Sequence, residues 1–230
     1  MEGPMKRLIV LFCSLGFAFL AGWEGGKAME SYSVSSGKTE ALSGTEAPKV
    51  ALTFDDGPDS EYTPILLDGL RERGVKATFF LMGQKIEGCE DLVRRMQEEG
   101  HLIGNHTYHH VRLPELSEVK AEEEIERTSN LIYEITGVYP SFVRPPFGEW
   151  KKGLDLHVTM IPVLWTVDSR DWVTQNTEQI LQEVLADTED GSIILMHDEF
   201  PSSVEAALAL VDQLQKKGYR FVTVDELLLE

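Results

Sequence analysis

From Pro48 onward the chain alternates short apolar runs with longer stretches whose apolar residues recur every three or four positions. The short runs read as strands over Val50–Phe54, Ala77–Leu81, Leu102–Gly104, Phe142–Val143, Val163–Val167, Ile193–Met196 and Arg220–Val222. The longer stretches read as helices over Thr63–Arg73, Asp91–Glu99, Ser117–Thr136, Thr177–Asp187 and Ser202–Lys217. Four of these run into a glycine (Gly74, Gly100, Gly137 or Gly218) where a left-handed cap would end a helix. The helix at Thr177 starts behind Asn176, an N-cap with Gln179 three residues on. Such regular alternation predicts a parallel sheet covered by helices, either closed as a barrel or open and doubly wound. No internal repeat or compositional break interrupts it, so residues 48–230 are expected to form a single domain.

The first 47 residues follow a different pattern. Lys6 and Arg7 precede an apolar run from Leu8 to Leu20, and Gly26-Lys27-Ala28 offers a small-x-small cleavage site. Residues 1–28 therefore read as a secretory signal peptide or, if uncleaved, a membrane anchor; the run is shorter than the roughly 20 residues that span a bilayer comfortably. Residues 29–47, rich in Ser, Gly, Thr and Glu, read as a flexible linker. A secreted or cell-surface protein is expected, touching a membrane only through its N-terminal segment.

Composition narrows the chemistry. Hydrophobic residues make up 42% and charged residues 26%, ordinary for a folded domain. With 39 acidic against 21 basic side chains the formal charge is −18, which argues against a nucleic-acid partner. Only two cysteines occur, Cys13 and Cys89, so neither a disulfide framework nor a cysteine metal cluster can be built. Any metal must be held by oxygen and imidazole.

Five polar clusters carry candidate chemistry. Thr53-Phe54-Asp55-Asp56-Gly57-Pro58 ends the first strand; adjacent carboxylates there are expected to point in different directions, one free to bind a metal and the other to act as a base. By itself the segment is equally a solvated Asp-Asp-Gly turn. His106-Thr107-Tyr108-His109-His110 follows the third strand. If a helical turn starts there, His106 and His110 share a face and chelate one ion, with His109 rotated about 60° from His106. Alone, the spacing also suits a polar helix face. In Arg144-Pro145-Pro146-Phe147-Gly148 two prolines present an arginine rigidly, as a carboxylate partner or as a surface side chain. Asp168-Ser169-Arg170-Asp171-Trp172 follows the fifth strand, and Leu195-Met196-His197-Asp198 closes the sixth. His101, at a helix-strand junction, reads as structural. All five clusters fall just after predicted strands, and parallel β/α folds gather every strand's C-terminal end on one face. Their joint placement favours one site over five unrelated turns.

In this order the five segments resemble the motifs of the polysaccharide deacetylases, carbohydrate esterase family 4, over nearly all of Lys49 to Leu229, including the closing Gly218–Val224 segment. The resemblance implies a distorted (β/α) barrel, with about seven parallel strands here. It makes Asp56, His106 and His110 the ligands of a divalent metal ion, zinc first, with cobalt, nickel or manganese as alternatives. Asp55 becomes the general base for the attacking water, and Arg144 the residue that holds this base in position and ionised. The Phe147 backbone N–H serves the oxyanion, His197 protonates the leaving amine with Asp171 orienting its ring, and Trp172 and Leu195 line the acetyl-methyl pocket. Many relatives carry tyrosine at the place of Phe147, but the implied role uses its main chain. Only Glu149 to Ile161 separate Gly148 from the next strand, which opens on Pro162, so the helix usual there is expected to be shortened.

The implied activity is removal of N-acetyl groups from N-acetylglucosamine units of a polysaccharide, peptidoglycan or chitin-like, with release of acetate. The same machinery would serve O-acetyl esters on xylan. A noncatalytic carbohydrate-binding relative would usually have lost a base, ligand or acid, and this chain retains them all. The polysaccharide is the expected partner, and a monomer the expected state.

Overall fold

The first strand, β1 (Lys49–Asp55), shows how the sequence builds two cores at once. In this computed structural model, which describes residues 46–229, Val50, Leu52 and Phe54 pack in the layer between sheet and helices. Ala51 faces the opposite way, into a second cluster with Phe80, Phe142, Val163, Ile193 and Val224. Successive side chains of a strand point to opposite faces, so large apolar residues at alternate positions dock helices while the intervening row fills the concave interior. The predicted leader and nearly all of the predicted linker lie outside the described residues.

Along the chain follow α1 (Tyr62–Glu72), β2 (Thr78–Leu81), α2 (Gly83–Ile86), α3 (Glu90–Glu98), β3 (Leu102–Asn105), α4 (Glu118–Thr136), β4 (Phe142–Val143), β5 (Ile161–Pro162), β6 (Val167–Asp168), α5 (Thr177–Asp187), β7 (Ser192–His197), α6 (Pro201–Lys216), β8 (Arg220–Val222) and α7 (Val224–Leu229). The sheet order is β5-β4-β3-β2-β1-β7-β6, with β8 also paired to β1, and every pairing is parallel. The four glycines expected to cap helices have φ of 63° (Gly74), 81° (Gly100), 73° (Gly137) and 89° (Gly218), the left-handed region that glycine enters without a Cβ clash. Ser117 and Asn176 cap α4 and α5 by accepting from the backbone N–H of Lys120 and Gln179. Among the described residues no helix is long and apolar enough to cross a membrane.

One expected strand is not continuous. Val163–Val167 is broken: β5 ends at Pro162 on one edge of the sheet, and β6 begins at Val167 on the other. Four intervening residues reach at most about 18 Å, at roughly 3.6 Å per step, so the two edges must lie close and the sheet is curled into a distorted barrel. Arg144 occupies the gap. Wholly buried, its Nε donates to the Val163 carbonyl and its Nη2 to that of Leu164, both at 3.3 Å, while Nη1 donates to Thr53 Oγ1 (2.6 Å) and Asp55 Oδ1 (2.8 Å). Its guanidinium carbon lies 4.3 Å from the Phe80 ring centroid. The carbonyls of the joining segment thus point at the arginine instead of entering a ladder.

The expected shortening after Gly148 is also present, because no helix forms over residues 149–160. Trp150, Leu154 and Leu156 instead pack on a third cluster that includes Leu113, Ile125 and Val143. Glu122 and Glu126 of α4 accept the backbone N–H of Asp155 and His157.

Removing Arg144 leaves Asp55 buried without its cation, so Arg144→Met is expected to destabilise the domain by about 3–5 kcal/mol in urea unfolding. Adding Asp55→Asn to it should return part of that loss, because a neutral amide tolerates burial better than an orphaned carboxylate. A double variant less stable than Arg144→Met alone would contradict this reading of the pair.

Candidate active site

Following the inner row of four strands to their ends, and in two of them just past the end, gathers the first half of the site. Asp55 is two residues beyond Thr53, His106 two beyond Gly104, Arg144 two beyond Phe142, and His197 two beyond Leu195. Asp55 and His197 are direct register partners. A cleft of about 410 Å³ at this end of the barrel is lined by Asp55, Asp56, His106, His110, Phe147, Trp172, Leu195 and His197, all expected from the sequence, and also by Pro145, Trp165 and Asp168. Arg144 and Asp171 lie just behind the lining, in hydrogen-bond contact with Asp55 and His197 respectively.

The second half is placed by strained backbone. Among the described residues the non-glycine positions with positive φ are Asp56 (68°), Thr107 (63°), His110 (56°), Phe147 (60°) and Arg170 (52°); Asp56, His110 and Phe147 line the cleft, and Thr107 and Arg170 adjoin His106 and Asp171. Such conformations cost about 1–3 kcal/mol each and persist only where the surroundings fix them. They correct two expectations. Simple strand alternation would separate Asp55 from Asp56, but the left-handed turn at Asp56 brings both carboxylates to the cleft, 3.8 Å (Asp55 Oδ2) and 3.3 Å (Asp56 Oδ1) from His106 Nε2. Nor is residues 106–110 a helical turn; His106 and His110 converge, with ring centroids 5.0 Å apart, because Thr107 and His110 adopt left-handed conformations. His109 points elsewhere, as expected, and its Nδ1 lies 2.7 Å from Glu124 Oε1. His101 is structural: its buried ring accepts the Ala77 backbone N–H.

Asp56, His106 and His110 each offer a ligand atom within 4.8 Å of the others. Both Nε2 atoms face the same oxygen, Asp56 Oδ1, at 3.3 and 3.5 Å, and that oxygen is buried with no hydrogen-bond partner among the described residues. A buried, unsatisfied carboxylate oxygen facing two imidazoles fits a cation. The tautomer fits as well. His106 Nδ1 lies 2.6 Å from the Arg144 carbonyl, which can only accept, so Nδ1 carries the proton and Nε2 presents a lone pair. Burial pushes His110 below its ordinary range, aided by the neighbouring His106 and His197 and opposed by Asp56 and Asp55. For Asp56 burial acts upward, but the imidazoles of His106, His110 and His197 around it prevail and hold it well below the usual carboxylate range.

Across the cleft His197 Nε2 lies 3.9 Å from Asp56 Oδ2. Its Nδ1 is 2.7 Å from Asp171 Oδ1, and its backbone N–H donates to Asp171 Oδ2 at 2.8 Å. Burial, the largest influence, pushes the imidazole down; the Asp171 hydrogen bond, together with the charges of Asp171, Asp55 and Asp56, outweighs it and raises the ring to about 9. Phe147, half exposed, packs edge-on to His110, and no described residue accepts its backbone N–H. Leu195 is buried in the floor of the cleft, whereas Trp172 stands 61% exposed at the rim. Trp165, missed from the sequence, forms a wall beside it; hidden inside an apparent strand, this tryptophan carried no separate signal.

A curled parallel sheet whose strand ends and adjoining loops bring two imidazoles and a carboxylate to one candidate cation site, with a second, arginine-paired carboxylate beside it and a carboxylate-supported imidazole opposite, has the layout of a metal-assisted hydrolase. The polysaccharide deacetylase family model matches residues 43–159, and the chain belongs to this family. It is 41% identical over 183 residues to a peptidoglycan-N-acetylglucosamine deacetylase of Bacillus cereus, covering 76% of this chain and 66% of that protein. It is 38% identical to the peptidoglycan-N-acetylmuramic acid deacetylase PdaC of Bacillus subtilis over 77% of this chain and 38% of that one. The chain thus spans from over a third to about two thirds of the length of these curated relatives. The solved structure of PdaC superposes with a TM-score of 0.76 at 37% identity, covering 79% of this chain and 90% of the solved one.

The raised value of His197 sets a pH window. Its ordinary value is 6.5. In the metal-free chain the stability it contributes through Asp171 should be fully present below about 6.5 and lost as pH rises through about 9. Asp171→Asn should lower the midpoint followed by NMR of the ring and flatten that part of the stability curve. A wild-type ring titrating at its ordinary value would contradict the assignment.

Proposed function

We propose that this chain hydrolyses the N-acetyl amide of N-acetylglucosamine units in a polysaccharide, peptidoglycan first, releasing acetate and leaving a free amine. The observation that carries this reading is the pairing of a free carboxylate with an opposed imidazole on either side of one cation site. Family membership and the peptidoglycan deacetylases among the relatives support the substrate class.

The residues divide the work. Asp56, His106 and His110 would hold a divalent ion, which would supply Lewis-acid chemistry to polarise the acetyl carbonyl and acidify water. Asp55 takes a proton from the attacking water at Oδ2, the oxygen that Arg144 leaves free. The Phe147 N–H is the candidate donor to the oxyanion as the carbonyl carbon becomes tetrahedral. His197 then delivers its Nε2 proton to the nitrogen as the C–N bond breaks, and Asp171 steadies the ring throughout. Leu195 and Trp165 form the apolar surfaces available to the acetyl methyl, and Trp172 offers an exposed face on which a sugar can stack.

Zinc is the first ion to test, because a set of two imidazoles and one carboxylate suits it; cobalt, nickel and manganese follow. The same reading places the enzyme outside the cytoplasm, a proposal supported by Lys6, Arg7 and the apolar run that follows them.

Acetate release by the zinc-loaded chain should be greater from peptidoglycan than from chitooligosaccharide, and least from acetylxylan, when the three are compared side by side. Faster release from acetylxylan would move the assignment to an ester. Asp55→Asn should keep the metal but lose about 10²–10⁴ in turnover, whereas His110→Ala should weaken metal binding itself. Near-normal turnover by Asp55→Asn would remove the base from this scheme.

A further inference from the structure

Between the two histidine ligands the loop has no ladder or helix of its own, so its peptide groups are satisfied from outside. Asn105 Oδ1 accepts the Thr107 N–H at 2.8 Å, and the carbonyls of Thr107 and Tyr108 accept from Gly83 and Gln84 at the start of α2. These contacts fix the first half of the loop. The Tyr108 side chain is anchored by Glu87 and Arg127, but the backbone N–H groups of Tyr108 and His109 share one acceptor, Glu124 of α4, largely buried and fifteen residues along the chain from His109. Its Oε2 accepts the backbone N–H of Tyr108 (3.1 Å) and of His109 (2.8 Å), and its Oε1 lies 2.7 Å from His109 Nδ1. Among the described residues His109 makes no other hydrogen bond, and the next residue is His110, at φ 56°. The conformation that turns His110 toward Asp56 therefore depends on an acceptor that touches neither.

We propose that Glu124 is the positioning residue of the metal centre, an acceptor on α4 that holds residues 108 and 109 so that His110 meets Asp56 and His106. This rests on the reading of those three residues as the ligand set. The role is one of hydrogen-bond geometry, not of charge: a glutamine at 124 can still accept both backbone N–H groups through its amide oxygen and offer its NH2 to His109 Nδ1.

Zinc affinity, measured by competition with a chromophoric chelator, tests it apart from turnover. Glu124→Ala should weaken zinc binding about 10–100-fold, as loss of a group supporting a ligand typically does, and Glu124→Gln should restore most of it. Glu122→Ala, which removes only the contact to the Asp155 N–H, should bind like wild type. Wild-type affinity in Glu124→Ala, an equal loss in Glu124→Gln, or an equal loss in Glu122→Ala overturns the inference. Hydrogen exchange in the metal-free wild-type chain reads the contact even if the alanine variant fails to fold: the Tyr108 and His109 amides should be protected, and exchange at the rate of free loop amides overturns the proposal. A wild-type chain that takes up no zinc removes the metal reading instead, while the exchange result still shows whether the clamp exists.

Discussion

The guanidinium of Arg144 is the constraint on which both the barrel and its chemistry depend. Burying a permanent cation is costly unless its donors find acceptors, and here four hydrogen bonds and an aromatic face surround it. Two of those bonds join the segment that brings the sheet edges together, and two reach Thr53 and Asp55 on the central strand. Burial alone draws the arginine below its ordinary range, and the charge and hydrogen bond of Asp55 act against that shift. The pair also settles which oxygen of Asp55 is spoken for: Oδ1 belongs to the arginine, and Oδ2 is left for chemistry.

A second pairing mirrors the first with the signs of function reversed. Asp171 is as buried as Asp55, but its partner is an imidazole, which can gain or lose its proton, where Arg144 cannot. A fixed cation holds one oxygen of the first carboxylate and leaves the other facing the cleft. A fixed anion beside an imidazole favours a cation that donates protons. The proposed base and acid are thus distinguished by what stands behind them, while the facing atoms share one cleft.

Much of this was legible in the chain because the strands follow strict alternation. Val50, Leu52 and Phe54 mark the helix-facing row of β1, which leaves Thr53 and Asp55 to the interior, and the glycine caps mark helix ends by a local steric rule that tertiary contacts rarely override. The break within Val163–Val167 was not legible, because an apolar run reads as a strand whether its carbonyls meet a neighbouring strand or a buried arginine. The His106–His110 loop misled for a related reason. Spacing of four fits a helical turn, but convergence came from left-handed backbone at Thr107 and His110, which sequence spacing does not encode. Glu124 was invisible among the many glutamates of α4, since only the fold distinguishes an acceptor facing a loop from one facing water.

The division between register and strain has a consequence for how the site holds together. Asp55, His106, Arg144 and His197 continue the inner rows of hydrogen-bonded strands, so their positions follow from the sheet and cost no backbone strain. Asp56, His110 and Phe147 leave those rows and reach the cleft only by left-handed conformations, each costing about 1–3 kcal/mol that neighbouring contacts must offset. Proton transfer needs fixed distances, and the proposed base and acid, Asp55 and His197, sit on the rigid part. A metal ion would repay strain in its ligands through the bonds it forms, which would let two of the three proposed ligands stand on loops. The sheet therefore sets the geometry of the proposed acid and base in advance, while the proposed ligand set is completed by loops held from outside, on which the tightness of the ion is expected to depend.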